Sequence, residues 1–135
     1  MPAYTFPARF EYLDEIRDVV AEIARAGGFS EKTIYFLQLA ADEAASNIIE
    51  HAYAGLPDAY LSMTCEMQGD EIVITMHDTG KAFNPAGVKE PNIKANLSDR
   101  QIGGLGVYLM RKLMDTVHYE STQSGNLLTM KKRKD

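Results

Sequence analysis

The sequence predicts an α/β fold of two layers, a mainly antiparallel mixed sheet with helices on one face. Three observations carry this expectation. Two stretches with apolar residues at helical spacing precede Gly55. Beyond it the period falls from about 3.6 to 2, and two alternating segments are joined by a short Gly-containing turn. A third helical stretch and a second hairpin follow. The order strand, helix, helix, hairpin, long connection, helix, hairpin lacks the regular strand-helix alternation of a doubly wound sheet. With 135 residues, 45% of them hydrophobic and 24% charged, the chain is sized for one domain over residues 1–135.

Residues 3–10, AYTFPARF, read as a short extended segment, and Pro7 assigns it to a sheet edge, because proline cannot donate to a ladder. From Tyr12 to Ala26, Leu13, Ile16, Val20 and Ile23 recur at helical spacing. Glu11, Asp14 and Glu15 stand at the start, where the helix dipole favours acids, and Gly27 and Gly28 end the helix. Ser30 is a natural N-cap for a second helix with Glu31 in its first turn. The apolar face of that helix runs through Ile34, Leu37, Ala41, Ala44 and Ile48 as far as Ala54, and Gly55 and Pro57 close it. Leu61, Met63, Cys65 and Met67 then alternate with Tyr60, Ser62, Thr64 and Glu66. Ile72, Ile74 and Met76 alternate with Val73, Thr75 and His77, so a hairpin with one buried face turns at Gln68, Gly69 and Asp70. Residues 79–102 carry Gly80, Pro85, Gly87, Pro91, Asn92, Asn96 and Asp99 with little periodicity. Connections of that length inside compact domains tend to be functional lids. Helical spacing returns from Gly104 through Val107, Met110, Leu113, Met114 and Val117. The second hairpin pairs Val117 to Thr122 with Leu127 to Lys132 around Gln123, Ser124, Gly125 and Asn126.

Composition removes several function classes. No run approaches the roughly 18 apolar residues of a membrane span, and MPAYTFPARFEYLDE lacks the basic-then-apolar order of a signal peptide, so the cytoplasm is the expected location. A single cysteine, Cys65, offers neither an internal disulfide nor a zinc knuckle. A net charge of −5 argues against a nucleic-acid surface, which needs a basic stripe, and Lys131 to Lys134 read as a solvated end.

Three stretches could carry chemistry. In LAADEAASNIIEHAY, residues 39–53, Glu43, Asn47 and His51 are four apart and so share one helix face. A carboxylate, an amide and an imidazole in one column have no use on an ordinary surface helix. In HDTGKAFNP, residues 77–85, Asp78 follows a buried strand, Gly80 removes a side chain that would block a close ligand, and Phe83 with Pro85 could anchor the departing loop. Taken alone, this is also what an ordinary turn looks like. In IGGLGVYLMRKLM, residues 102–114, glycines meet a helix N-terminus, where orphan amides and the dipole attract anions. A Gly-rich hinge before a core helix would read the same way. The dinucleotide fingerprint fails because Leu109 stands where its third glycine belongs, and no Gly-Lys-Ser/Thr phosphate loop occurs. Gln101 to Gly106 also fits the pyrophosphate loop of acetyltransferases that use acetyl-CoA.

Together the three stretches resemble one family. Glu43 to Asn47 with His51 looks like the N box, Asp78-x-Gly80-x-x-Phe83 like the G1 box, and Gly104-Leu105-Gly106 like the G2 box of the GHKL ATPases, in the family's order. This superfamily includes gyrase, the histidine kinases and the mismatch-repair ATPases. Within it the single-domain size, ADEAASNIIEHAY, DTGKAFNP and GGLGVYLMRKLMD are most similar to the anti-sigma factor serine/threonine kinases. The resemblance implies the histidine-kinase-like ATPase fold, ATP and Mg²⁺.

It also implies roles. Asn47 would present its side-chain oxygen to Mg²⁺, which favours oxygen ligands and keeps several waters. Glu43 would be the general base, acting on a substrate hydroxyl in a kinase or on a water in an ATPase. Asp78 would accept a hydrogen bond from the adenine amino group, and Gly80 would let the base lie against the backbone. Phe83 and Leu105 belong to the two glycine boxes, and the amides of Gly104 and Gly106 would meet the phosphates. Arg100, ahead of Lys94 and Lys81, is the leading candidate to neutralise the γ-phosphate. Relatives often carry Gly-Thr entering the last strand, with the Thr near the adenine. Here the pair is Gly125-Asn126, and an amide can replace a hydroxyl as a hydrogen-bond partner. The implied partners are a sigma factor and a STAS-type antagonist phosphorylated on Ser or Thr, with room for a homodimer and no place for nucleic acid or membrane. An ATP-dependent binding switch without efficient phosphoryl transfer is the alternative, with an acetyltransferase more remote. A histidine kinase would need a dimerisation helix bearing a phosphoaccepting His.

Overall fold

Why the chain folds as two layers follows from its two periodicities. The computed structural model describes residues 3–52, 59–80 and 110–134. It contains β1 (Ala3–Pro7), α1 (Leu13–Ala26), α2 (Glu31–Asn47), β2 (Tyr60–Gln68), β3 (Glu71–Asp78), β4 (Thr116–Thr122) and β5 (Gly125–Arg133). A single 3-10 turn, Phe10–Tyr12, leads into α1. Residues 110–113 are helical and lie just ahead of β4. The predicted lid, all but Thr79 and Gly80, lies outside the described residues.

The strands form one sheet in the order β1-β2-β3-β5-β4, and every pairing between them is antiparallel. The expected parallel admixture is thus absent among the described residues. β1 is at the edge, as Pro7 requires, with Pro7 opposite Tyr60. β2 and β3 turn through Gly69 and Asp70, where Gly69 takes a φ of +67 that a side chain would resist.

One sheet face is covered by both helices. Leu61, Met63 and Cys65 of β2, Ile72, Ile74 and Met76 of β3, and Leu128 and Met130 of β5 join Ile16, Val20 and Ala24 of α1 and Ile34, Leu37, Ala41 and Ala44 of α2 in one core. Burying such side chains contributes roughly 1.5–3 kcal/mol each before conformational entropy is charged against it. Val73 departs from the alternation, being buried although it points to the open face. It lies between Glu66 and Lys131 in the register, and the stems of such long side chains shield a central-strand residue from water.

The helices are held to each other at both ends. Arg17 of α1 pairs with Asp14 on its own helix and with Asp42 of α2, while Gln38 donates to the Arg17 carbonyl at 3.2 Å. At the other end Arg25 makes a two-point contact with Glu31 at 2.9 and 3.1 Å. Because that pair is exposed, its value is orientation more than energy. No described helix is long and apolar enough to cross a membrane.

Candidate nucleotide site

α2 places the first two candidate residues. Ser30 caps it, its hydroxyl accepting from the Thr33 amide at 3.2 Å, so the register of the helix is fixed from its first turn. Ala40 and Ala44 are buried and stand seven and three residues before Asn47, so Asn47 continues their stripe into the protein interior. It is 5% exposed, and neither its amide oxygen nor its amide nitrogen has a hydrogen-bond partner. A buried amide left unpaired costs about 1–3 kcal/mol, so it is a group whose bonding a bound ligand would complete.

Glu43 lies one turn earlier at the edge of the same stripe and is half-buried. Loss of solvent, followed by the charges of Glu50 and Asp42, pushes its carboxyl from 4.5 up to about 7. Such a group is shared between acid and base forms near neutrality, the condition a general base needs.

The third member of the predicted column does not continue it. Residues Ile48–Ala52 wind as a π-helical turn, and at that wider pitch residues four apart no longer superpose. Glu43 and Asn47 share the α register, and residue 51 leaves it.

Asp78 ends β3 on the face that Ile74 and Met76 also occupy, which is the helix-covered one. Only 5% exposed, it is the centre of a short polar network. Its Oδ1 accepts from the Gly80 amide at 2.9 Å and from Asn126 Nδ2 at 2.8 Å. The same Asn126 nitrogen donates to the Gly80 carbonyl at 3.0 Å. Asn126 Oδ1 accepts from the Tyr119 hydroxyl at 3.0 Å and from Ser121 at 2.9 Å.

Gly125 makes this approach feasible. Its φ is +124, and a Cβ there would stand 2.3 Å from the Asp78 carbonyl oxygen.

Glu43, Asn47, Asp78 and Gly80 are therefore placed by α2 and by the end of β3. Phe83, Arg100, Gly104, Leu105 and Gly106, with Lys81 and Lys94, lie outside the described residues. Two side chains of the Asp78 network, Tyr119 and Ser121, were not among the expected site residues. Their signal in the sequence is slight: two hydroxyl side chains at inward-facing positions of an alternating strand.

A ligand set for Mg²⁺ can be judged on the same geometry. Among the described residues no group of three His, Cys, Asp or Glu side chains could hold a metal by itself. The unpaired Asn47 oxygen fits an ion that takes one protein ligand and fills its remaining sites with phosphate and water oxygens.

Comparison with known proteins places the chain in a family. The profile described as the histidine kinase-like ATPase domain matches residues 6–132. The chain belongs to that family. Serine/threonine-protein kinase BtrW of Bordetella bronchiseptica is 32% identical over 108 residues, which cover 80% of this chain and 76% of BtrW. Serine-protein kinase RsbW of Bacillus licheniformis is 32% identical over 130 residues, covering 93% of this chain and 81% of RsbW. Within the histidine kinase-like ATPases the chain thus groups with the serine-protein kinases BtrW and RsbW, in line with the family the three boxes resemble.

The fold agrees. The crystal structure of the RsbU and RsbW domains of a Mycobacterium tuberculosis protein superposes with a TM-score of 0.63 at 16% identity, over 99% of this chain and 33% of that longer one. At that identity the likeness concerns the fold alone.

Proposed function

We propose that this histidine kinase-like ATPase domain is a Mg²⁺-dependent protein serine/threonine kinase that transfers the γ-phosphoryl group of ATP to a STAS-type antagonist. In the same cycle it would hold a sigma factor until the antagonist displaces it. The observation that carries this reading is the pairing on one helix of a carboxyl poised near neutrality, Glu43, with a buried amide that has no partner, Asn47. An ATP-binding family whose members include the serine-protein kinases BtrW and RsbW supplies the context.

The chemistry follows from the residues. Asn47 would offer its oxygen to Mg²⁺, and the bound ion would draw the phosphates together and offset their charge. Asp78 would accept a hydrogen bond from the adenine amino group on the oxygen left clear of Asn126. Glu43 in its ionised form would take the proton from a substrate Ser or Thr hydroxyl as that oxygen attacks the γ-phosphorus and ADP departs. Positioning contributes most in such a transfer, and the base typically adds about 10²–10⁴-fold.

Two variants test the reading. In Asn47→Ala, Mg²⁺-dependent ATP binding measured by calorimetry is expected to disappear; unchanged affinity would remove Asn47 as metal ligand. In Glu43→Ala, ATP binding is expected to persist while transfer to the cognate antagonist drops by at least about a hundredfold. Transfer that survives in this variant would overturn the base assignment. A wild-type protein that binds ATP and its partner but transfers nothing would instead be an ATP-dependent binding switch. The acetyltransferase alternative would need acetyl-CoA binding, and the family match over residues 6–132 gives it no support.

A further inference from the structure

We propose that Asn126 is a positioning residue for nucleobase selection, clamping the Asp78 carboxylate and taking no bond from the base itself. The proposal rests on the reading of Asp78 as acceptor for the adenine amino group and assigns a further residue to that site. Asn126 is 3% exposed and lies on β5 between Asp78 of β3 and Ser121 of β4, directly opposite both in the register.

The orientation of its amide is fixed by chemistry. Asp78 Oδ1 and the Gly80 carbonyl can only accept here, so the amide nitrogen must face them, at 2.8 and 3.0 Å. The oxygen then faces the hydroxyls of Tyr119 and Ser121, at 3.0 and 2.9 Å, and both can donate. These bonds engage both N–H donors and both oxygen lone pairs, so the amide is committed to the protein and not to a base.

The consequence falls on Asp78. One of its oxygens is held by Asn126 and by the Gly80 amide at 2.9 Å, so the carboxylate plane is set before any ligand arrives. Its second oxygen is then the one left to accept from a ligand N–H donor. A carboxylate that must be immobilised on binding loses part of its selectivity to that ordering, whereas one already clamped does not. The bond from Asn126 to the Gly80 carbonyl also ties down the chain as it leaves β3.

The test compares ATP with purine riboside triphosphate, which lacks the 6-amino group, by calorimetry on the full chain in the presence of Mg²⁺. Wild type is expected to prefer ATP by about tenfold or more, the worth of a hydrogen bond to a charged group. In Asn126→Ala the analogue is expected to bind as it does to wild type while ATP weakens, so the preference collapses toward about onefold. A merely structural residue would weaken both ligands alike and leave their ratio intact. Tyr119→Phe removes one hydroxyl from a half-buried strand position and is expected to reduce the preference about threefold, even if the Asn126 variant does not fold. A preference unchanged in every variant that folds overturns the proposal while leaving Asp78 in place. A wild type with no preference at all overturns the Asp78 reading on which the proposal stands.

Discussion

Glu43 carries a cost that should be measurable apart from any reaction. Its carboxyl is raised from 4.5 to about 7 in the fold, chiefly by lost solvent, so the folded protein holds a proton that the unfolded chain releases. Below about 4.5 the group is protonated in both states and imposes nothing. Between about 4.5 and about 7 wild-type stability falls as pH rises, and above about 7 the full penalty remains. Glu43→Gln, which mimics the protonated form, is therefore expected to melt higher than wild type above pH 7, by a margin that shrinks to nothing toward pH 4.5. Melting curves of the two proteins across that range check it; a constant margin would mean that Glu43 is not shifted in the fold. At this scale the sequence located Glu43 and Asn47, because helical spacing alone puts residues four apart on one face. It misplaced residue 51, since nothing in IIEHA announces the π turn that breaks the register. The clamp on Asp78 was not legible either. It depends on which residues of β4 and β5 stand opposite Asp78, and register belongs to the folded sheet.

Elements were legible to the extent that their signals are local. Ser30, Gly69 and Pro7 each act through their own backbone, and the helix start, the hairpin turn and the edge strand fell where those residues predict. Strand order was not, because β5 inserts between β3 and β4, and no local pattern says which edge of a hairpin meets an earlier strand. That insertion brings Gly125 against Asp78. Two predictions belong here. Ser30→Ala removes the cap of α2 and should cost about 1 kcal/mol, read as a shift of the urea midpoint at unchanged slope. Gly125→Ala should do more harm. Its Cβ would overlap the Asp78 carbonyl at 2.3 Å and its φ of +124 is strained for any side chain, so a loss of at least about 2 kcal/mol and weakened ATP binding are expected together. Stability lost with ATP affinity intact would separate the β3-β5 contact from the nucleotide site.

The molecule as a whole presents its candidate groups from separate parts of the core: Asn47 at the end of α2, and Asp78 and Gly80 where β3 ends, with Asn126 of β5 behind them. A nucleotide that bonds to several of these would link the helical layer to the sheet and would bind only when both are in place. Ligand binding restricted to the folded state adds stability with concentration, about 2.7 kcal/mol at a hundred times Kd. For a chain of 135 residues that corresponds to a rise in Tm on the order of 10 °C. ATP with Mg²⁺ should produce this shift, and chelating the metal should remove most of it. Asn47→Ala should behave with Mg²⁺ as wild type does without it, because the unpaired amide oxygen is the atom through which the metal would reach α2. The variant without nucleotide should be no less stable than the loss of one small, unpaired side chain implies, since no hydrogen bond is broken by removing it. If ATP raises Tm equally with and without Mg²⁺, the buried amide of Asn47 is not completed by the metal, and its missing partner must be sought in the nucleotide itself.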